Sequence, residues 1–174
     1  MTSQRLTTLV VGYEDVEVAL ADLNDLAAVR KAHGVGDYEA AVVRNHASHH
    51  ELVKTTVDAG PRRTLLGAGL GVVVGVVITP LLGAAALGAA FGAMLGSVAD
   101  QLDAFKHSDM REVERLVDDS AASLIVIAND ATIKAICEAA TSRHRRIVMA
   151  FSDADVDLLE RELQELTMPP QGPG

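Results

Sequence analysis

The chain has 174 residues, 49% of them hydrophobic, with a net charge of −9 and a single cysteine. The negative balance argues against a nucleic-acid partner, because neutralising phosphates needs clustered Lys and Arg. One cysteine excludes an intrachain disulfide and a multi-cysteine metal site, and Cys137, beside Ile133 and Ile136, reads as a small buried hydrophobe.

The opening MTSQRLTTLVVGYEDV is not a signal peptide: its apolar run is short and acidic residues follow at once. Leu6–Tyr13 reads as a strand, and the consecutive Leu9, Val10 and Val11 suggest burial on both faces. Glu14 and Asp15 open a helix, where negative charge suits the N-terminal dipole, and apolar spacing carries it from Val16 to about Lys31. Gly34–Asp37 is a turn, and Tyr38–Asn45 a second strand. Leu52–Val57 is a short strand or hairpin extension, broken by Asp58-Ala-Gly60-Pro61. Later come a helix over Asp109–Val117, a strand over Ser123–Ala128, a helix from Asn129-Asp130 to about Ser142, and a strand over Arg145–Phe151. Ser152-Asp153 caps a last amphipathic helix, and residues 167–174 form a disordered tail.

Between the two halves, Thr64 to Ala99 carries no charge. Gly67, Gly71 and Gly75 recur every four residues, as do Gly88, Gly92 and Gly96, with Pro80 dividing the two sets. Residues four apart share a helix face, so each set forms a groove into which another helix backbone can fit. These six glycines are the expected helix-packing residues. Gly71→Leu or Gly92→Leu should part the helices, whereas Val73→Leu, on a different face, should be tolerated.

TTLVVGYEDVEVALADL…YEAAVVRN and ASLIVIANDATIKAICEAA…RRIVMAFS share a strand, acidic turn, helix, strand pattern. Two such units give the expected fold, an α+β ferredoxin-like split-βαβ sandwich. Residues 1–60 plus 100–166 would form one discontinuous domain, with residues 61–99 a hydrophobic glycine-zipper hairpin inserted between the units. The first and third strands are expected central and parallel, the second and fourth at the edges, and the helices on one face. Both units share one sheet, so the insert must enter and return. It either spans or re-enters a membrane or packs inside a soluble oligomer. Arg62 and Arg63 at its base mark the expected membrane-surface residues on a cytoplasmic side, by the positive-inside bias.

LVVGYED, PLLGAAALGAAFGAMLGSVAD and SLIVIA, over roughly residues 7–160, resemble the bacterial predicted membrane proteins of domain-of-unknown-function family 1269. The resemblance implies a glycine-zipper hairpin on a small α/β domain and no known reaction. Where that family often has Pro-Gly before the third strand, this chain has Asp119-Ser120-Ala121.

Catalytic and cofactor motifs are absent: Gly67-Ala-Gly69-Leu-Gly71 is not G-x-G-x-x-G, and His50-Glu51 is not followed by the zinc-motif histidine. His46, His49 and His50 are the candidate metal ligands; as an exposed turn after a strand they read first as solvated. Arg143-His144-Arg145-Arg146 reads as a solvated turn, with anionic lipid headgroups as its functional alternative. The sequence thus points to a non-enzymatic membrane-associated protein that self-assembles through its glycine-zipper hairpin, with no cofactor expected and no small-molecule substrate inferable. Its partners would be membrane lipid and further copies of itself, with the α/β domain and both termini cytoplasmic. The alternative is a soluble oligomeric ligand-binding or regulatory module with its hairpins buried in the assembly.

Overall fold

The first strand, β1 (Leu6–Tyr13), lies between two strands from the far half of the chain, β4 (Ala122–Asn129) and β5 (Arg146–Ala150). The structure is a computed structural model and describes residues 5–34, 36–46, 49–58, 63–82, 101–102, 108–139 and 145–167. The remaining described elements are α1 (Val16–His33), β2 (Tyr38–His46), β3 (His49–Asp58), α2 (Arg63–Leu82), α3 (Ser108–Asp118), α4 (Asp130–Ala139) and α5 (Asp153–Thr167). The five strands form one sheet in the order β3-β2-β4-β1-β5, with every neighbouring pair antiparallel.

Each half of the chain completes the other's sheet. The β1-α1-β2 unit leaves a gap of one strand, which β4 fills, and the β4-α4-β5 unit leaves a gap that β1 fills. A crossover helix returns the chain so that the strands it joins run the same way. The strand entering the gap runs opposite to both and makes the straight antiparallel ladder. The expected parallel pairing of the first and third apolar strands is therefore corrected: Leu9 faces Val126 and Val11 faces Leu124 in antiparallel register. The second expected strand is not an edge either. The hairpin extension is a full strand, β3, ten residues long, and it covers β2. Val42 pairs with Lys54 and Val43 with Leu52, so Val53 bulges from the edge strand.

Both sheet faces are covered, where the sequence suggested helices on one. Strand side chains alternate between faces, so a strand with consecutive apolar residues delivers apolar groups to both. On one face Leu9, Val42, Leu124 and Val126 pack against Leu23 and Leu26 of α1 and Ile133 and Ile136 of α4. On the other, Val10, Val43, Ile125 and Ile127 pack with α2, with Val113 and Leu116 of α3 and with Leu159 of α5.

Helix boundaries follow local chemistry. The Asp15 side chain accepts from Glu17 N at 2.8 Å and starts α1, and Gly34, at φ 60°, ends it in the left-handed conformation that glycine adopts without penalty. Asn129 Oδ1 accepts from Thr132 N at 2.8 Å at the start of α4. Ser152 and Asp155 form a reciprocal cap at α5: Ser152 Oγ accepts from Asp155 N, and the Asp155 carboxylate accepts from Ser152 N.

The apolar stretch enters this fold directly. α2 runs past Pro80, the expected divider, to Leu82. Leu66, Ala68, Leu70, Val72, Val73 and Val74 join the core cluster over the sheet. Val72 through Gly75 are four successive buried residues, and successive helical residues turn by about 100° each, so α2 is enclosed on all sides there. Val73 is fully buried, which removes it as a tolerant position for Val73→Leu. Among the described residues no helix is long and apolar enough to cross a membrane. The second glycine set, Gly88, Gly92 and Gly96, and the tail from residue 168 lie outside the described residues.

At Gly12, in β1, a Cβ would collide with Ser120 Oγ and lie 2.8 Å from Leu116 Cδ1. Gly12→Val should therefore cost roughly 1–3 kcal/mol through overpacking. Val18→Ala, at a position 41% exposed, should stay within about 0.5 kcal/mol. Urea unfolding midpoints of the two variants measure the difference.

Candidate functional site

The β2–β3 hairpin carries the histidines to the end of the sheet where α3 also finishes. Pairing sets Asn45 opposite His50 and His46 opposite His49, with Arg44 opposite Glu51. Directly opposed residues share a face, so His46, His49, Arg44 and Glu51 stand on one side and His50 and Asn45 on the other. The three histidines do not converge, because His49 and His50 are neighbours in a strand rather than members of one turn. His46 and His49 stack with ring centroids 4.7 Å apart, and His46 Nε2 lies 2.9 Å from Glu51 Oε2. The solvated reading suits this pair, but His50 is buried, its Nε2 3.2 Å from Asp118 Oδ1. Among the described residues no group of three His, Cys, Asp or Glu side chains is arranged to hold a metal ion.

What this corner does is fasten the hairpin to the end of α3. The last carbonyls of a helix lack intrahelical partners. Asn45 Nδ2 donates to Val117 O at 3.4 Å and Asp118 O at 2.7 Å, and Ser120 Oγ donates to Leu116 O. Asn45 N also donates to Ala121 O at 2.9 Å, which sets the start of β4. Sequence reading missed the Asn45 clamp because its partners lie more than 70 residues away.

The arginines divide between the two ends of the sheet. α2 begins at Arg63, five residues after β3 ends at Asp58, opposite Tyr38 at the start of β2. Arg145 and Arg146 stand at the start of β5, beside the end of β1, where Gly12 N donates to Arg145 O at 3.0 Å. Tyr38 pairs with Ala128 and Arg44 with Ala122, so these are opposite ends of the strands. Arg62 lies outside the described residues. A cleft of about 370 Å³ is lined by Glu112, Arg115 and Leu116 of α3 and by Arg145, Arg146 and Ile147. Arg145 lies 3.3 Å from Asp119, and Arg146 Nη1 donates to Cys137 O at 3.1 Å, occupying the end of α4. Glu112 in the lining and Asp119 beside Arg145 offset part of the arginine charge around this cleft.

Two glycines of α2, Gly67 and Gly69, meet the sheet. A Cβ at Gly67 would lie 3.1 Å from Glu39 Oε2, and one at Gly69 would lie 3.2 Å from Leu6 Cδ2. Glu39 is itself buried beneath the helix. Gly71 is half-buried and Gly75 buried. Elsewhere, burial holds the Tyr13 phenol far above its ordinary pKa, reinforced by its 2.7 Å hydrogen bond to Asp22, so it ties α1 to the end of β1 as a neutral donor. Burial likewise raises the Cys137 thiol, the opposite of activation.

A family model described as "Protein of unknown function (DUF1269)" matches residues 64–164, more than half the chain. No curated protein and no solved structure matches it. The matched span runs from α2 to α5 and contains β4 and β5 but not β1, which separates them in the sheet.

The hydrogen bond from His46, helped by the charge of Arg44, holds the Glu51 carboxyl below its ordinary pKa. Its charged form is favoured in the folded state. The associated stability is present above the ordinary carboxylate range and is lost as pH falls through the lower, folded value. Glu51→Gln should flatten the fall in melting temperature between about pH 5 and pH 3, measured alongside the parent protein.

Proposed function

This chain belongs to the DUF1269 family of proteins of unknown function, and we propose that it is a non-enzymatic self-associating module. In this reading its two βαβ units form a ferredoxin-like sandwich, and its glycine-rich stretch is a protein-packing element. The observation that carries it is the run of four successive buried residues, Val72 to Gly75, in α2. A helix apolar on every side must be covered on every side. For this part of the stretch, protein supplies the cover and lipid is not required. The glycines at 67 and 69 serve that packing, because any side chain there would push against Glu39, Leu6 or Ile127. The stretch then continues uncharged to Ala99 with a second four-residue glycine repeat, and that repeat is the surface on which copies associate.

Membrane association is the second reading, and a specific feature favours it. From Val76 to Ala99 the sequence remains free of charge, longer than the roughly 20 residues a span needs. In that reading the α/β domain and both termini lie on the cytoplasmic side, and Arg62 and Arg63 face the headgroups. Because α2 is packed on the sheet, the domain would sit directly on the bilayer without a linker.

Fractionation after expression without detergent separates the two. The packing reading expects protein released from membranes by salt or alkaline wash, and multimeric on sizing. Retention until detergent is added supports the second reading. Within the packing reading, Gly67→Leu should lower the melting temperature of the α/β domain by several degrees, since the new side chain displaces a buried carboxylate. An unchanged melting temperature with altered oligomer size would instead place Gly67 at a helix–helix contact.

A further inference from the structure

The two edges of the sheet are built differently. The β3 edge is interrupted by the Val53 bulge and carries Glu51 and Lys54, features that discourage strand addition. The β5 edge has no bulge and no proline, and Val148 at its centre is 51% exposed. Arg146, Val148 and Ala150 all stand exposed on the face that α1 and α4 cover elsewhere. Among the described residues, the outer side of β5 pairs with no strand.

The register decides which backbone groups are free. Gly12 N donates to Arg145 O, and Phe151 N donates to Leu6 O. In an antiparallel ladder the bonded residues alternate. Residues 145, 147, 149 and 151 therefore turn their N–H and C=O toward β1, whereas Arg146, Val148 and Ala150 turn theirs outward.

We infer that β5 is the docking edge for a second copy of this chain, joined by antiparallel β5–β5 pairing about a two-fold axis through Val148. That row of outward groups is complementary to itself. Val148 exchanges both its hydrogen bonds with the partner's Val148, and Arg146 pairs with the partner's Ala150 at either end, giving about six backbone bonds. Charge favours this occupant. The strand begins basic, at Arg145 and Arg146, and is followed by exposed Asp153 at the start of α5. The two-fold axis brings the basic end of each strand to the acidic end of the other, and no arginine opposes an arginine. The result is a continuous ten-stranded antiparallel sheet. This surface is separate from the glycine-rich stretch and does not depend on whether that stretch packs in protein or lipid.

The geometry supplies a test with little cost to the monomer. The Val148 N–H points away from β1, so Val148→Pro removes no hydrogen bond within the chain. The full chain and this variant are compared by sizing across concentrations, with circular dichroism to check folding. The expected result is that Val148→Pro keeps its fold and halves the assembly size. Equal sizes for two folded proteins would overturn the proposal. A second measurement stands even if the proline variant misfolds. In a Cys137→Ala background, Val148→Cys should be joined into a covalent dimer by a short bis-thiosulfonate reagent. Arg146→Cys and Ala150→Cys, each roughly 13 Å from its own copy in this register, should not. Crosslinking at 146 or 150 but not at 148, or at none of the three, contradicts the pairing.

Discussion

The pairing of β1 with β4 is the constraint on which the rest of this structure depends. Eight residues of each strand are in register, from Leu6 with Asn129 to Tyr13 with Ala122, across more than a hundred residues of chain. Neither half can satisfy its backbone groups alone, because the middle strand of each βαβ unit is supplied by the other. The long apolar stretch must therefore leave the sheet and come back to it.

Packing follows from the same constraint. Interior strands such as LVV and LIVI carry apolar groups on both sides, and a face left bare would expose Val10, Ile125 and Ile127 to water. The chain meets this by laying α2 over that face, with α3 and α5 beside it. Glycine then has a plain structural role: at 67 and 69 it lets the helix backbone come down onto Glu39, Leu6 and Ile127. Gly67, one of the residues that suggest helix association in lipid, thus lets a helix lie close to a sheet. The two uses share one physical basis, the absence of a side chain at the point of contact.

Much of the fold was legible in the sequence, and the failures have identifiable causes. Leu6–Tyr13 was read to the residue, and the caps at Asp15, Asn129 and Ser152 follow from local chemistry. The expected parallel direction of the first and third strands comes from the assumed fold pattern and not from any residue, since apolar runs record burial without direction, and the ladder is antiparallel. The second helical layer was missed although its cause was visible: apolar runs without alternation require cover on both faces. His50 was assigned to a turn because polar residues dominate that segment. It is buried with Nε2 3.2 Å from Asp118 Oδ1, and Asn45 acts on carbonyls of the same distant helix end. Pairwise contacts at that separation leave no local pattern to read.

The central claim is that the first half of the apolar stretch is part of the α/β core. Amide hydrogen exchange on the intact protein tests it most directly, comparing residues 70–75 of α2 with residues 124–127 of β4. If α2 is core, both sets exchange at the same slow rate and shift together when the domain is destabilised by Gly12→Val. Exchange in residues 70–75 that is fast in water, or that slows on adding detergent while β4 is unaffected, would contradict the account.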